Sequence, residues 1–198
     1  MSDTIIDLIR HGEPVGGRRY RGQIDDPLSE RGWEEMWSAV RNPAPWEEIV
    51  CSPLTRCSAF ARALAEKLEI PVREDARLKE VRFGAWEGHS GSQLKQADPQ
   101  VLSRFYHDPV GQRPEGAEPL EQFHGRVREA FEEILAEYQG RHILVVTHAG
   151  VIRAVITHVI QAPLGGMYRI SVPTASLARV VSNSERPPTM MFYGRQTL

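Results

Sequence analysis

Two of the seven histidines directly follow predicted β-strands, and this placement is the first sign of chemistry in the sequence. His11 comes after the mostly apolar segment 4–9, and His148 comes after the apolar segment 143–147. Short apolar segments of this kind are typical of strands in a parallel sheet, whose carboxyl ends share one edge and bind ligands there. Either histidine alone is consistent with an ordinary loop residue, but the pair predicts a shared site.

Three arginines are placed to reach the same edge of the predicted sheet. Arg10 ends the first strand, Arg56 begins the helix after the second strand, and Arg153 lies one turn into the helix after His148. A guanidinium group binds two phosphate oxygens in a planar geometry, and a charge at the end of an apolar strand needs an anionic partner. The arginines therefore predict a site for a phosphate-like anion. A solvated helix face is the alternative for Arg56 and Arg153, and for Arg153 the two interpretations are equally supported.

Alternating strand and helix patterns predict the elements that position these side chains. Strands are predicted at 4–9, 46–51, around 72, and at 142–147, 170–172 and 177–181. Helices are predicted at 29–40, 55–68, 120–138 and 150–160, where apolar residues recur at helical spacing. This alternation predicts an α/β sandwich with a mainly parallel sheet.

The chain is predicted to form one domain, residues 1–198, with an inserted segment. Between residues 84 and 119 the pattern weakens to short helical stretches near Gln93 and Arg104, so we expect a small cap over the main domain. Residues 12–27, with four glycines and two prolines, are expected to form a loop. The last fifteen or so residues show no clear pattern.

Composition excludes several functional classes. The net charge is −2, which argues against a nucleic-acid or anionic-membrane partner. No apolar run approaches the roughly 18–20 residues of a membrane span, and the N-terminus lacks the features of a signal peptide. The two cysteines, Cys51 and Cys57, offer neither a disulfide framework nor a C-x-x-C site. We expect a cytoplasmic protein.

Four segments, in this order, resemble the motifs of one family. They are 8–13 (LIRHGE), 52–57 (SPLTRC), 78–88 (LKEVRFGAWEG) and 146–153 (VTHAGVIR), and they extend over nearly the whole chain. Together they resemble the histidine phosphatase superfamily, which has the phosphoglycerate-mutase-like fold. The resemblance implies a three-layer α/β/α sandwich and a metal-independent phosphatase that needs no cofactor.

The resemblance also implies a role for each matching residue. His11 would attack phosphorus and form a phosphohistidine, while Arg10, Arg56 and His148 would hold the phosphoryl oxygens. Glu80 would protonate the leaving oxygen and then activate water. Only the family motif selects Glu80 over its neighbours Glu13 and Glu87.

The sequence departs from the family pattern at three places. Pro14 stands where members often have Ser or Thr, and Gly17 stands where an Asn usually helps to bind phosphate. The segment 114–119 (PEGAEP) resembles the family's Pro-Gly-Gly-Glu-Ser segment only loosely, with Glu118 expected to keep a structural role. None of these departures changes the predicted catalytic set.

Within the family, segments 20–29 (YRGQIDDPLS) and 83–88 (FGAWEG) look most like α-ribazole phosphatases. The expected partner is thus a small phosphorylated metabolite, with α-ribazole 5′-phosphate, an intermediate of cobalamin biosynthesis, as one candidate. A broad-specificity or other small-metabolite phosphatase and a mutase-type phosphotransferase are alternatives, and a non-catalytic phosphate-binding module is a third.

Several residues could face the substrate or could be structural. Tyr20 and Arg21 are candidate substrate-binding residues, as is Arg153, although Tyr20 and Trp86 could merely pack the loops. His89 and His107 in the predicted cap are expected to be solvated. A homodimer is also possible, with Trp33 or Trp37 either in the core or on its surface.

Other mechanisms fit less well. A cysteine phosphatase needs five residues between its Cys and Arg, whereas four separate Cys51 from Arg56. The sequence has no H-E-x-x-H motif for a metal and no Gly-x4-Gly-Lys-Ser/Thr loop for a nucleotide. The arginines would also repel a metal cation.

Overall fold

The computed structural model describes residues 2–40 and 45–195, which form a six-stranded sheet between two helical layers. The strands are β1 (Thr4–Arg10), β2 (Glu48–Cys51), β3 (Val72–Glu74), β4 (His142–Thr147), β5 (Leu177–Ser182) and β6 (Thr189–Arg195). They lie in the order β3-β2-β4-β1-β5-β6. Strands β1 to β4 are parallel, β5 is antiparallel to β1, and β6 is antiparallel to β5. The predicted α/β/α sandwich with a mainly parallel sheet is confirmed.

Within the described residues, six α-helices accompany the sheet. They are α1 (Glu30–Ala39), α2 (Thr55–Leu68), α3 (Gly91–Ala97), α4 (Val101–His107), α5 (Leu120–Glu137) and α6 (Ala149–Val159). Short 3-10 helices occupy Ala76–Leu78, Gly84–Trp86 and Leu164–Arg169. None of the helices within the described ranges is long and apolar enough to cross a membrane.

Local sequence signals account for the ends of these helices. The Ser29 hydroxyl accepts a hydrogen bond from the Gly32 N–H (3.0 Å) and so caps α1. Helix α2 ends where Glu69 adopts a left-handed conformation (φ 56°), from which its N–H returns to the carbonyls of the last turn. The bounds of α2 match the predicted 55–68.

Apolar side chains on both faces of the sheet form two cores. One face packs against α1 and α2 through Ile9, Ile49, Leu144, Val146, Met36, Phe60 and Leu64. The other face packs against α5 and α6 through Ile6, Leu8, Val145, Phe123, Val127, Phe131 and Val155. Trp33 and Trp37 are half-buried and pack their rings on Phe60, with centroids 5.8 and 4.9 Å away, so their core interpretation is supported.

One expectation for the C-terminal third was wrong. Residues 170–172 do not form a strand, because the carbonyls of Ile170 and Val172 accept hydrogen bonds from Arg153 Nε (2.8 Å) and Arg10 Nη1 (2.6 Å) instead of from a neighbouring strand. The tail, in which the sequence analysis found no pattern, contains β6, an edge strand that pairs with β5 alone. Its apolar run 190–193 is the local signal that the sequence analysis missed. Residues 196–198 of that tail lie outside the described ranges.

A buried carboxylate ties the middle of the sheet together. Asp7 of β1 is fully buried and accepts hydrogen bonds from Arg179 Nε and Nη2 (2.7 and 2.9 Å) and from Trp46 Nε1 (2.8 Å). His142 Nε2 lies 2.8 Å from the same carboxylate. Burial alone would raise the pKa of Asp7, but the hydrogen bonds from Arg179, His142 and Trp46 hold it below its ordinary value. The carboxylate therefore stays ionised and paired.

Replacing Asp7 should destabilise the fold strongly. We expect Asp7→Ala to lower the free energy of unfolding by about 3–5 kcal/mol. The substitution leaves Arg179 without its anion and leaves the N–H groups of Trp46 and His142 without an acceptor. Urea unfolding measures the change. The control is Asp3→Ala, whose exposed carboxylate accepts a hydrogen bond from Asn183, with an expected effect within about 0.5 kcal/mol. A loss below about 1 kcal/mol for Asp7→Ala would contradict the role of the network.

Candidate active site

Adjacent parallel strands bring His11 and His148 together. Arg10 of β1 is in register with Thr147 of β4, and the His11 N–H donates to the Thr147 carbonyl (2.9 Å). The residue after each strand is a histidine, and the two imidazole rings meet edge to face with centroids 5.2 Å apart. The predicted proximity of the two histidines is thus what the structure shows.

The hydrogen bond of His11 fixes which ring nitrogen carries the proton. Nδ1 lies 2.7 Å from the Gly12 carbonyl, which can only accept, so Nδ1 is the donor. Burial, and then the charges of Arg10 and Arg56, hold the pKa of His11 well below its ordinary value of 6.5. The neutral ring therefore has its lone pair on Nε2, which is the state that a nucleophile needs.

His148 lies behind His11 and is completely buried. Its Nε2 is 2.7 Å from Ser52 Oγ, and Cys57 Sγ lies 3.6 Å from the same nitrogen. Burial, then the charges of Arg56 and His11, hold the pKa of His148 well below 6.5. The ring is therefore neutral and held in place by Ser52.

Ser52 follows β2 as the histidines follow β1 and β4, and the sequence analysis missed it. Strand β2 is the next parallel neighbour of β4, so Ser52 reaches the same edge of the sheet and its hydroxyl meets His148. Its position directly after a predicted strand is the signal that would have found it.

Arg10 and Arg56 are held by backbone carbonyls. Arg10 Nη1 donates to Val172, while Arg56 Nη1 and Nη2 donate to the carbonyls of Ile24 (2.7 Å) and Gly22 (2.8 Å). Burial lowers the pKa of Arg10 to about 10, so the group remains charged at neutral pH. The Nε of each arginine is buried and has no hydrogen-bond partner within the described residues. Neither charge is neutralised by a carboxylate within 4 Å there, which leaves both charges available to an anion.

Glu80 is held at the start of α6. Its Oε2 accepts from the Gly150 N–H (3.2 Å) and its Oε1 from the Val81 N–H (3.0 Å), while Arg126 Nη2 donates to its backbone carbonyl (3.2 Å). A Cβ at position 150 would lie 2.1 Å from Glu80 Oε1, so only glycine permits this approach. Arg126 also pairs with Glu118 (2.7 Å), which gives Glu118 the expected structural role.

The two rival glutamates differ in position. Glu13 lines the same cavity as Glu80, whereas Glu87 accepts hydrogen bonds from the backbone N–H groups of Phe83 (2.9 Å) and Gln23 (3.3 Å) and does not line it. Glu87 therefore organises the loops, and the structure leaves Glu13 as the alternative to Glu80 at the site.

A cavity of about 890 Å³ opens over these groups, within the size range of small-molecule sites. We call it the main cavity. Of the predicted site residues it is lined by Arg10, His11, Tyr20, Arg21, Arg56, Glu80 and Arg153. His148 is not in the lining, and its contact with a phosphoryl group stays a prediction. A smaller cavity of about 390 Å³ near His124 and His158 contains no arginine or carboxylate.

Tyr20 and Arg21 both make contacts that shape the mouth of the main cavity. The Tyr20 hydroxyl lies 2.9 Å from the Tyr106 hydroxyl of α4, and its ring packs on Trp86. Arg21 pairs with Asp26 (2.8 Å) and donates to the carbonyls of Val15 and Gly17, which fixes the loop. Arg21 thus bonds to the carbonyl of the residue that replaces the usual Asn. Their direct contact with a substrate stays a prediction, and His89 and His107 are exposed as expected.

Neither cysteine is placed for chemistry. Cys51 and Cys57 are buried and neither lines the main cavity. Burial, followed by the charge of Glu74, raises the pKa of Cys51 to about 12, and burial raises the pKa of Cys57 well above its ordinary value. Both thiols are therefore protonated at neutral pH. In the described ranges no group of three or more His, Cys, Asp or Glu is arranged to hold a metal.

Comparison with known proteins gives a family and its fold. The model of the histidine phosphatase superfamily (branch 1) matches residues 6–193. An Escherichia coli adenosylcobalamin/alpha-ribazole phosphatase is 32% identical over 83% of this chain and 83% of its own length. A metal-independent phosphoserine phosphatase from Arabidopsis thaliana is 31% identical over 82% of this chain and 71% of its own length.

Other matches extend the comparison. The crystal structure of the alpha-ribazole phosphatase from Shigella flexneri superposes with a TM-score of 0.81 at 28% identity, with 98% of each chain covered. A bifunctional protein of Mycobacterium tuberculosis is 32% identical over 88% of this chain. The chain spans about half (49%) of the length of that relative.

The lowered pKa values predict a pH-dependent stability. Below pH 6.5 the unfolded chain takes up protons on His11 and His148 that the folded chain does not, so the free energy of unfolding should fall as the pH falls. We expect a loss of about 1.3 kcal/mol per histidine between pH 7.5 and 5.5. The lowered pKa of Asp7 acts near pH 3.8 and does not contribute in this window.

Denaturant unfolding at both pH values tests this for the wild type, His11→Gln and the exposed control His107→Gln. The loss on acidification should be smaller by about 1.3 kcal/mol in His11→Gln and unchanged in His107→Gln. Equal losses in the wild type and His11→Gln would show that His11 is not buried as a neutral group.

Proposed function

We propose that this chain, which belongs to the histidine phosphatase superfamily (branch 1), hydrolyses phosphomonoesters through a phosphohistidine on His11. The observation that carries the proposal is the environment of His11. Its ring is neutral with the Nε2 lone pair unprotonated, and it lines a cavity beside two guanidinium groups that have no carboxylate partner among residues 2–40 and 45–195. A nucleophile and an anion site are thus side by side.

In the first step, His11 Nε2 attacks phosphorus and the bond from phosphorus to the ester oxygen breaks. Arg10 and Arg56 bind the phosphoryl oxygens, and their charges stabilise the negative charge that moves to the leaving oxygen. A protonated Glu80 gives its proton to that oxygen, so the products are the free alcohol and a phosphohistidine. His148, which is held by Ser52, packs edge to face on the ring of His11 and would hold a phosphoryl oxygen.

In the second step, water attacks the phosphohistidine. Glu80, now a carboxylate, takes a proton from the water as it forms a bond to phosphorus, and the bond from phosphorus to Nε2 breaks. Orthophosphate leaves, and both His11 and Glu80 return to their starting states. The placement of Glu80 in the cavity supports this double use of one carboxyl group.

α-Ribazole 5′-phosphate is the named candidate substrate. It is supported by the segments 20–29 and 83–88 and by the E. coli and S. flexneri relatives, which carry that name. The alternatives are another small phosphorylated metabolite, such as the phosphoserine of the Arabidopsis relative's name, and a mutase-type transfer. Release of orthophosphate without an acceptor alcohol separates hydrolysis from transfer.

The remaining proposals concern the setting of the reaction. We place the enzyme in the cytoplasm as a single domain with no nucleic-acid or membrane partner, in keeping with its net charge of −2. We further propose that residues 84–119 cover the site, because Ser90, Leu102 and Tyr106 line the main cavity. A homodimer remains part of the proposal, to be measured by light scattering.

Loss of the nucleophile should abolish turnover. With EDTA present, the wild type is expected to release orthophosphate from 4-nitrophenyl phosphate and from α-ribazole 5′-phosphate, the second far faster if it is the natural substrate. His11→Ala should lose at least about 10³-fold in kcat, while His107→Ala, an exposed control, should keep it. Alkaline quenching should trap an acid-labile phosphoryl group on the wild type and on His107→Ala, but not on His11→Ala.

Different outcomes separate the alternatives. Full activity in His11→Ala would overturn the phosphohistidine mechanism. Loss of wild-type activity in EDTA would support a metallohydrolase, and no activity on any phosphomonoester would leave the phosphate-binding module. Turnover of the aryl ester alone would remove α-ribazole 5′-phosphate as the substrate.

The role of Glu80 should depend on the leaving group. For an alkyl phosphate, whose alkoxide is a poor leaving group, Glu80→Gln should lower kcat/KM by about 10²–10⁴-fold because no proton donor remains. For 4-nitrophenyl phosphate the loss should be less than about tenfold, since nitrophenolate leaves without a proton. The matched control is Glu13→Gln, which should affect both esters equally. If Glu13→Gln instead lowers kcat/KM mainly for the alkyl phosphate, and Glu80→Gln affects both esters equally, Glu13 is the general acid.

A further inference from the structure

The main cavity has more positive charge than a single phosphoryl group can neutralise. Six arginines line it, Arg10, Arg18, Arg19, Arg21, Arg56 and Arg153, against two carboxylates, Glu13 and Glu80. Asp26, which pairs with Arg21, offsets one more charge, so the surplus is three positive charges in a chain whose net charge is −2. A phosphomonoester dianion offsets two of them.

Most of these arginines have no carboxylate partner. Arg21 pairs with Asp26, but no carboxylate of the described residues lies within 4 Å of the other five guanidinium groups. Two of the five, Arg10 and Arg56, belong to the proposed phosphoryl site. Like charges crowded in one cavity raise one another's energy, and an anionic ligand relieves this cost.

Arg153 is the best placed of the remaining arginines to hold a second anion. Its Nε donates to the Ile170 carbonyl (2.8 Å) and its guanidinium lies over the Tyr168 ring (5.4 Å from the centroid), so the group is fixed on the cavity wall. Its two Nη groups donate to no described residue. They present the planar pair of donors that matches the two oxygens of a carboxylate.

Arg18 lies in the same cavity and makes no ion pair or side-chain hydrogen bond with the described part of the chain. Burial lowers the pKa of Arg10 most, the charge of Glu80 raises it, and the charges of Arg153 and Arg18 lower it further, as expected for guanidinium groups that line one cavity. A second anion bound by both groups would lie in the same cavity as the transferred phosphoryl group.

We propose that the substrate of this site is a phosphomonoester that also bears a carboxylate, bound by Arg153 with Arg18 beside it. The inference rests on the proposed function and narrows its substrate class. It favours small phosphorylated acids over esters whose alcohol part is uncharged, such as α-ribazole 5′-phosphate.

Matched substrate pairs test the proposal directly. Phosphoserine and phosphoethanolamine differ only by the carboxylate, and 3-phosphoglycerate and glycerol 1-phosphate differ by a carboxylate in place of a hydroxymethyl group. We expect kcat/KM to be about ten- to a hundredfold higher for the acid in each pair, as for a charge-assisted hydrogen bond. Fructose 1,6-bisphosphate against fructose 6-phosphate tests whether a second phosphate serves instead.

Variants assign the preference to its residue. Arg153→Gln should reduce the preference within each pair to less than about threefold, and Arg153→Lys, which keeps the charge, should restore part of it. Arg18→Gln should reduce it to a smaller extent. The control is Arg169→Gln, an exposed arginine outside the main cavity, which should leave the preference unchanged.

Each outcome bears on one claim. Equal kcat/KM within the pairs, alongside clear hydrolysis of 4-nitrophenyl phosphate, would overturn the carboxylate inference and leave the phosphatase in place. Preference for the bisphosphate alone, or a preference that survives in Arg153→Gln, would also overturn it. If no ester is hydrolysed, the result contradicts the proposed phosphatase function, and the carboxylate inference is then tested by binding. Calorimetry of the same four compounds with the His11→Gln variant then measures their binding. Tighter binding of the acid in each pair would show that the carboxylate is recognised.

Discussion

The guanidinium groups of Arg10 and Arg56 are held in place by backbone carbonyls and not by carboxylates, and much of the site depends on this choice of partner. A carbonyl fixes a guanidinium without cancelling its charge, whereas a carboxylate would neutralise the group. The carbonyls come from the loop at Gly22 and Ile24 and from Val172, so the conformation of those loops is part of the anion site. The same uncancelled charges help to keep the His11 ring neutral.

The order of the strands explains how a few residues are enough to form the site. Strands β2, β4 and β1 are neighbours and parallel, so the residues that follow them, Ser52, His148 and His11, share one edge. The backbone fixes the spacing between these side chains, and a hydrogen bond from outside the strand sets each ring: Gly12 for His11 and Ser52 for His148. Glu80 is not one of the residues that follow these strands. Its carboxylate is held at the start of α6, where Gly150 leaves room for it.

The parts of the fold that have a local cause could be predicted. The apolar run of β1, the Ser29 cap of α1 and the stripe of α2 all contain their own signal, and the positions after the strands indicated both histidines. Segment 170–172 reads as a strand but is not one, because distant arginines occupy its carbonyls. Strand β6 has a local signal in the apolar run 190–193, but the run is short and lies between Pro187–Pro188 and Gly194, which obscure it. The partner of Asp7 could not be found either, because Arg179 is 172 residues away in the chain.

The separation of charge within the molecule has a kinetic consequence. With three surplus positive charges in the main cavity and an overall charge of −2, the rest of the chain carries a net negative charge, so the field of the molecule favours anions at the cavity mouth. Anions are drawn inward faster than free diffusion delivers them, and this advantage fades as salt shortens the Debye length. Under the proposed reaction the product, orthophosphate, is itself an anion, so the field that attracts the substrate would also slow the release of the product. Product release would then contribute more to the turnover time at low ionic strength than at high ionic strength.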